Sequence, residues 1–146
     1  MDSKTGVYIC SGCDIDQAMD VEELVKVASK ECKVPVSKTH PVLCSEEGVK
    51  LLHEDQEKEG VTRFMIAACS QRFHETTFDM GEENIVVRAP IREYVAWTQK
   101  TRDESGEVDE DTQLAGEEYI QMYTAKLKKH GIPQPFEQDT SKKLLV

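Results

Sequence analysis

Positive charge is scarce in this chain. Lysine and arginine total 18 against 28 aspartates and glutamates, a formal net charge of −10 over 146 residues. Such an acidic surface repels phosphate backbones, which argues against nucleic acid as a partner. Long apolar runs are missing as well; none approaches the ~20 residues needed to span a bilayer. The opening Met1-Asp2-Ser3-Lys4-Thr5-Gly6 has no apolar h-region, so a signal peptide is not expected and a cytoplasmic location is. Internal repeats and low-complexity tracts are absent. No acid–base or nucleophilic catalytic set stands out, and no glycine-rich phosphate loop. Catalysis by this chain alone is therefore not expected.

What remains is a length that fits one domain with a real core, together with five cysteines. Without export the thiols are expected to stay reduced, and an odd count argues against a simple disulfide framework. Two are close together. In Val7-Tyr8-Ile9-Cys10-Ser11-Gly12-Cys13 an apolar, β-branched run ends in a pair of thiols separated by two residues. One tight turn can aim both sulfurs at a point, which suits a metal, an iron–sulfur cluster or a redox disulfide.

Four short apolar runs alternate with helical stretches. Gly6–Cys10 is the first strand. Asp20, with Glu23 three residues on, opens a helix whose apolar face is Val21, Leu24, Val25, Ala28 and Cys32. Val34-Pro35-Val36 reads as a second strand, placed at an edge because proline cannot donate to the ladder. Ser45-Glu46-Glu47 starts a helix that Gly60 stops. Thr62–Cys69 has the continuous apolar middle of a strand buried on both faces. A short helix over Phe73–Met80 leads to the fourth strand, Asn84–Arg88, and Ile91–Trp97 forms a further turn or helix with Trp97 in the core.

This alternation implies right-handed crossovers and a parallel sheet. The expected fold is α/β: three layers around a four-stranded flavodoxin- or Rossmann-like sheet of order 2-1-3-4, plus a carboxyl-terminal helix. The divisions are an α/β domain over 1–100, an acidic linker over 101–110, a helix over 111–131 capped by Gly131, and a tail over 132–146. Ile120, Tyr123 and Leu127 give that helix a thin docking stripe. Lys142-Lys143-Leu144-Leu145-Val146 reads as the start of a strand.

In such a sheet the strand carboxyl ends share one edge, where loops build the binding crevice. Cys10 and Cys13 lie there after strand one, Cys44 after strand two and Cys69 at the end of strand three. Cys32, about twelve helical residues or roughly 18 Å back, falls at the opposite side and reads as a small buried hydrophobe. Four thiolates at one edge suit an all-cysteine zinc site or a [4Fe–4S] cluster, and Cys44 or Cys69 could instead be simple core residues. Drawing ligands from several loops leans towards the cluster. His40, His74 and Arg72 lie near the same edge; the histidines read as solvated polar residues, and Arg72 equally as a charge that could offset a cluster or as one half of an ordinary surface ion pair.

Gly6-Val7-Tyr8-Ile9-Cys10, Cys44-Ser45-Glu46-Glu47-Gly48, the run Ile66 to Phe78 and Ile91-Arg92-Glu93-Tyr94-Val95-Ala96-Trp97 together carry a resemblance. The chain resembles the amino-terminal domain of proteins like the A subunit of heterodisulfide reductase. These include flavoprotein subunits of the quinone-interacting membrane-bound oxidoreductase of sulfur-metabolising anaerobes. The resemblance implies a [4Fe–4S] cluster on Cys10, Cys13, Cys44 and Cys69. It also implies an electron-transfer role with partner subunits, membrane attachment only through such a complex, and a parent oxidoreductase. A domain binding FAD would follow, whose first strand would begin at Leu144-Leu145-Val146. Cys10-Ser11-Gly12-Cys13 departs from the Cys-x-Cys-Gly opening of many family members, and Gln71 stands where proline is common. The residues themselves leave two alternatives: a structural zinc module for contact between subunits, and a thiol–disulfide redox domain using Cys10 and Cys13.

Overall fold

The computed structural model describes residues 3–143. Strand β1 (Lys4–Cys10) leads through a one-turn helix α1 (Ile15–Ala18) to α2 (Val21–Lys26), which runs on as a π-helical turn, Val27–Glu31. Then follow β2 (Val36–His40), α3 (Glu46–Glu59), β3 (Val61–Ala67), β4 (Ile85–Ala89), a π-helical turn (Arg92–Ala96) and α4 (Glu110–Lys129). All three strand pairings are parallel and the order is β2-β1-β3-β4, as the alternation of elements requires.

The helix starts are those the side chains dictate. Asp20 accepts a hydrogen bond from the Glu23 amide at 3.1 Å, and the Ser45 hydroxyl accepts one from the Gly48 amide at 3.1 Å. Each satisfies an orphan donor, an effect of about 1 kcal/mol. Gly60 ends α3 in the left-handed region, φ 70°, which a side chain there would strain.

β3 is the middle of the core. Phe64, Met65, Ile66 and Ala67 are fully buried, because helices cover both faces of the sheet. Burying each large side chain contributes roughly 1.5–3 kcal/mol. The edge position of β2 holds, but the strand begins after Pro35 rather than through it. Proline has no amide to pair with β1, so the ladder starts at Val36, opposite Gly6.

On the α3 side, one buried charge is fully answered. The Asp55 carboxylate accepts from the Tyr8 hydroxyl at 3.0 Å and from Lys38 Nζ at 2.6 Å. Burial above all, reinforced by Asp55, drives the Tyr8 phenol far above its ordinary pKa.

α4 docks over α2, β3 and β4. Gly116 makes the approach possible: a Cβ there would stand 2.5 Å from Met19 Sδ. Ile120 and Leu127 are buried as the stripe requires. The helix does not end on a glycine cap. His130 is the extended C-cap, and Arg63 Nη1 from β3 donates to the carbonyls of Leu127 and His130 at 2.7 and 2.8 Å. A guanidinium from the sheet thus satisfies carbonyls that the expected left-handed Gly131 would have closed off.

The Phe73–Met80 helix does not form. Residues 70–84 are successive turns, with the Phe73, Thr77 and Asp79 amides each bonded three residues back. The carbonyl of Phe73 points instead to Arg88 Nη1, 2.7 Å away, and that of His74 is shared between the same nitrogen at 3.2 Å and the Thr77 amide, which breaks up an i to i+4 ladder. Within the expected linker, residues 102–108 form a turn closed by an isolated bridge between Arg102 and Val108, in which Asp103 accepts from the Ser105 and Glu107 amides, and Glu110 already belongs to α4. Residues 131–143 are exposed and carry no regular element. Leu144-Leu145-Val146, where a strand is expected, lie outside the described residues. No helix among those described is long and apolar enough to cross a membrane.

Candidate metal centre

The parallel topology delivers four thiols to one place. Cys10 is the last residue of β1, Cys13 sits in the turn beyond it, Cys44 in the turn after β2, and Cys69 two residues past β3. All four line a single apolar cavity of about 30 Å³, walled mainly by Ile15, Leu43, Ala68 and Phe78. Cys10 and Cys69 are buried, Cys44 is half-buried and Cys13 is exposed at the rim.

The turn after β1 is built for close approach. The Ser11 amide continues the ladder to the His40 carbonyl at 3.1 Å, and the Ile15 amide returns to the Gly12 carbonyl at 3.2 Å. A Cβ on Gly12 would overlap the Pro41 carbonyl oxygen, so only glycine lets the two thiol-bearing turns touch. Cys13 and Asp14 both take left-handed backbone, φ 54° and 66°, which costs a non-glycine residue on the order of 1 kcal/mol each. Strain therefore collects where the sulfurs are aimed. Cys44 immediately precedes Ser45, the N-cap of α3, so the start of that helix fixes where its side chain sits.

Two arginines approach the thiols. Arg88, at the end of β4, is only 8% exposed. Its Nη2 donates to Cys69 Sγ and to the Cys69 carbonyl at 3.2 and 3.3 Å, and its guanidinium lies 4.9 Å from the Phe78 ring centre. Its Nε is buried with no partner. Arg92 lines the cavity, pairs with Glu93 at 2.7 Å, and sits between the Trp97 and Phe73 rings, 4.7 and 5.6 Å from their centres. Burial raises the Cys69 thiol pKa, with Arg88 and Arg92 opposing it. Burial would raise Glu93 too, but the Ser70 amide and Arg92 hold it below its usual range.

Two sequence expectations, for Arg72 and Trp97, need correction here. Arg72 is exposed, and only its amide is engaged, by the Ser70 hydroxyl; the charge beside Cys69 is Arg88. The sequence does carry a signal for Arg88, a lone charge inside the otherwise apolar Ile85-Val86-Val87-Arg88-Ala89. Trp97 is 62% exposed rather than core, because Val95 and Ala96 take the inward side of that turn and leave Trp97 outside against Arg92. Neither His40 nor His74 lines the cavity: His40 Nδ1 accepts from the Val42 amide, and His74 is exposed beside Phe73. Cys32 stands apart from the cavity, half-buried against the core, with its carbonyl held by Lys128 Nζ at 2.6 Å.

No family model matches the chain. Among curated proteins, an iron–sulfur A subunit of the CoB–CoM heterodisulfide reductase of Methanopyrus kandleri is 34% identical over 101 residues, which is 64% of this chain and 15% of that protein. A protein of Archaeoglobus profundus, named as similar to the A subunit of heterodisulfide reductase, is 30% identical over 98% of this chain and 20% of its own length. This chain is homologous to a segment of the A subunit of heterodisulfide reductase. A third relative, the A subunit of the H2:CoB-CoM heterodisulfide,ferredoxin reductase of Methanothermobacter marburgensis, is 35% identical over 64% of this chain and 15% of its own. The chain thus spans no more than about a fifth of these relatives.

Four thiols at one apolar cavity are a donor set that suits soft iron or zinc. Among the described residues, no three His, Cys, Asp or Glu side chains stand close enough to hold one metal ion. A cluster is larger than the present void. Cys13 and Phe73 form the exposed rim of that void. The buried, carboxylate-free guanidinium beside Cys69 fits a group whose thiolates bring negative charge.

Proposed function

We propose that this segment holds a [4Fe–4S] cluster on Cys10, Cys13, Cys44 and Cys69 and relays electrons in a heterodisulfide reductase-like complex. The observation that carries this is the meeting of four cysteines, from the ends of three different strands, at one apolar cavity. When bound, the cluster supplies one-electron redox chemistry. The chain's part is to hold it. β1, β2 and β3 fix the sulfur positions, Gly12 keeps two of the turns in contact, and Ile15, Leu43 and Phe78 exclude water. Low dielectric and few waters keep reorganisation on electron transfer small.

The names of the relatives, which speak of iron–sulfur subunits and of a heterodisulfide,ferredoxin reductase, support the same reading. In it, the electrons pass between FAD, held elsewhere in the parent oxidoreductase, and the other subunits of the complex. The site is cytoplasmic, and contact with a membrane is peripheral and made through those subunits.

Anaerobic reconstitution with iron and sulfide tests the proposal. Broad visible absorbance with about four irons per chain is expected. One tightly held zinc and no colour would overturn it in favour of a structural module. A metal-free protein with dithiol turnover that Cys13→Ser abolishes would replace it with a thiol–disulfide function.

A further inference from the structure

Buried guanidinium groups normally meet a carboxylate, because an unpaired charge in the interior is costly. Arg88 does not. Among the described residues its partners are three backbone carbonyls, the Cys69 sulfur and the face of Phe78, all neutral as they stand, and its Nε is bonded to nothing. The neighbouring Arg92 differs in this respect, since Glu93 already neutralises it at 2.7 Å. Arg63, the other arginine held by carbonyls, caps α4 and does not line the four-thiol cavity. The molecule therefore keeps one desolvated positive charge in reserve, 3.2 Å from a single sulfur of the four.

We propose that Arg88 is a positioning residue for the cluster: its guanidinium fixes the Cys69 sulfur and favours the reduced state of the group bound there. This rests on the cluster reading above. The physics is direct. A thiolate at Cys69 turns a weak contact into a charge-assisted hydrogen bond, roughly twice as strong as a neutral one. One-electron reduction then adds one negative charge to the site, and a fixed cation in a low-dielectric surround stabilises that charge more than water would. The two carbonyl bonds to Phe73 and His74 hold the guanidinium plane against Cys69 and tie down the loop that covers the cavity.

The experiment is a redox titration, followed by electron paramagnetic resonance, of the reconstituted chain and of Arg88→Gln and Arg88→Lys. Iron content is measured first on each. In Arg88→Gln the midpoint should move negative by at least about 59 mV, a tenfold change in the one-electron equilibrium, with Arg88→Lys, which keeps the charge, recovering part of that shift. The Fe–S(Cys) stretching frequencies should rise in both as the sulfur loses its hydrogen bond. An iron content lost in Arg88→Gln but restored in Arg88→Lys would also support a charge role. Equal loss of iron in both variants with the circular dichroism unchanged would overturn it and leave Arg88 as a loop anchor. Unchanged midpoints and stretching frequencies in iron-replete variants would overturn it as well. If the unaltered chain takes up no iron, the cluster reading itself has failed, and the Arg88 inference falls with it.

Discussion

Two buried charges at different places in the sheet have opposite fates. Asp55, packed against β1 and β2, has its carboxylate engaged by Lys38 and Tyr8, both supplied by the chain itself. Arg88, at the carboxyl edge, is also buried and has no anionic partner of its own among the described residues. Asp55 belongs to a network that the folded chain completes unaided. Arg88 belongs to one that, on the proposal above, thiolates and the group they bind would complete. The contrast separates polar burial that serves the fold from polar burial that serves the site. It extends to the cysteines, since Cys32 packs against the core and Cys69 faces the cavity beside a cation.

The largest test of that contrast is on the thiols. Cys69→Ala should reduce reconstituted iron from about four per chain to less than a quarter of that content, while Cys32→Ala leaves it unchanged. Equal losses, read by iron assay, would erase the distinction between the two regions. Next in size, Asp55→Ala strands the Tyr8 hydroxyl and leaves Lys38 unmatched. Urea unfolding should register a loss of roughly 2–3 kcal/mol, with iron uptake by the refolded protein intact; a drop in iron would mean the networks are coupled.

The smallest effect is a pH slope. Burial, and then Asp55, hold the Tyr8 phenol protonated in the folded state far beyond its pKa in the unfolded chain. That stability is present below about pH 10 and is lost as pH rises beyond it, because only the unfolded state releases the proton. Tyr8→Phe should cost about 1 kcal/mol at neutral pH and flatten the alkaline decline. Tyr123, raised chiefly by burial, leaves a residual slope. An alkaline decline as steep as in the unaltered chain would place its origin elsewhere.

Much of this architecture is legible in the sequence because local chemistry and the global fold agree. Asp20 and Ser45 read as caps, Gly60 as a stop, and the apolar middle of β3 as the centre of the sheet. Parallel strand order then puts Cys10, Cys13, Cys44 and Cys69 on one edge and Cys32 on the other. The departures share a cause. The Phe73–Met80 segment has a helical pattern of its own, but Arg88 from another element binds its first two carbonyls. Gly131 stands where a cap belongs, but Arg63 from β3 satisfies those carbonyls instead. Trp97 has the size of a core residue, although Val95 and Ala96 already fill the space.

By itself, then, the amino-acid order determined the elements, their parallel arrangement and the edge on which the thiols collect. Caps, periodicity and crossover handedness act within a few residues or follow from chain connectivity. Only the tertiary structure decided that the four thiols share one cavity and that residue 12 must be glycine to clear the Pro41 carbonyl. It also decided which arginine stands beside Cys69: exposed Arg72, three residues along the chain, lost that place to buried Arg88, nineteen residues away. Long-range electrostatic partners are chosen by which side chains are desolvated together, and sequence separation carries no record of that.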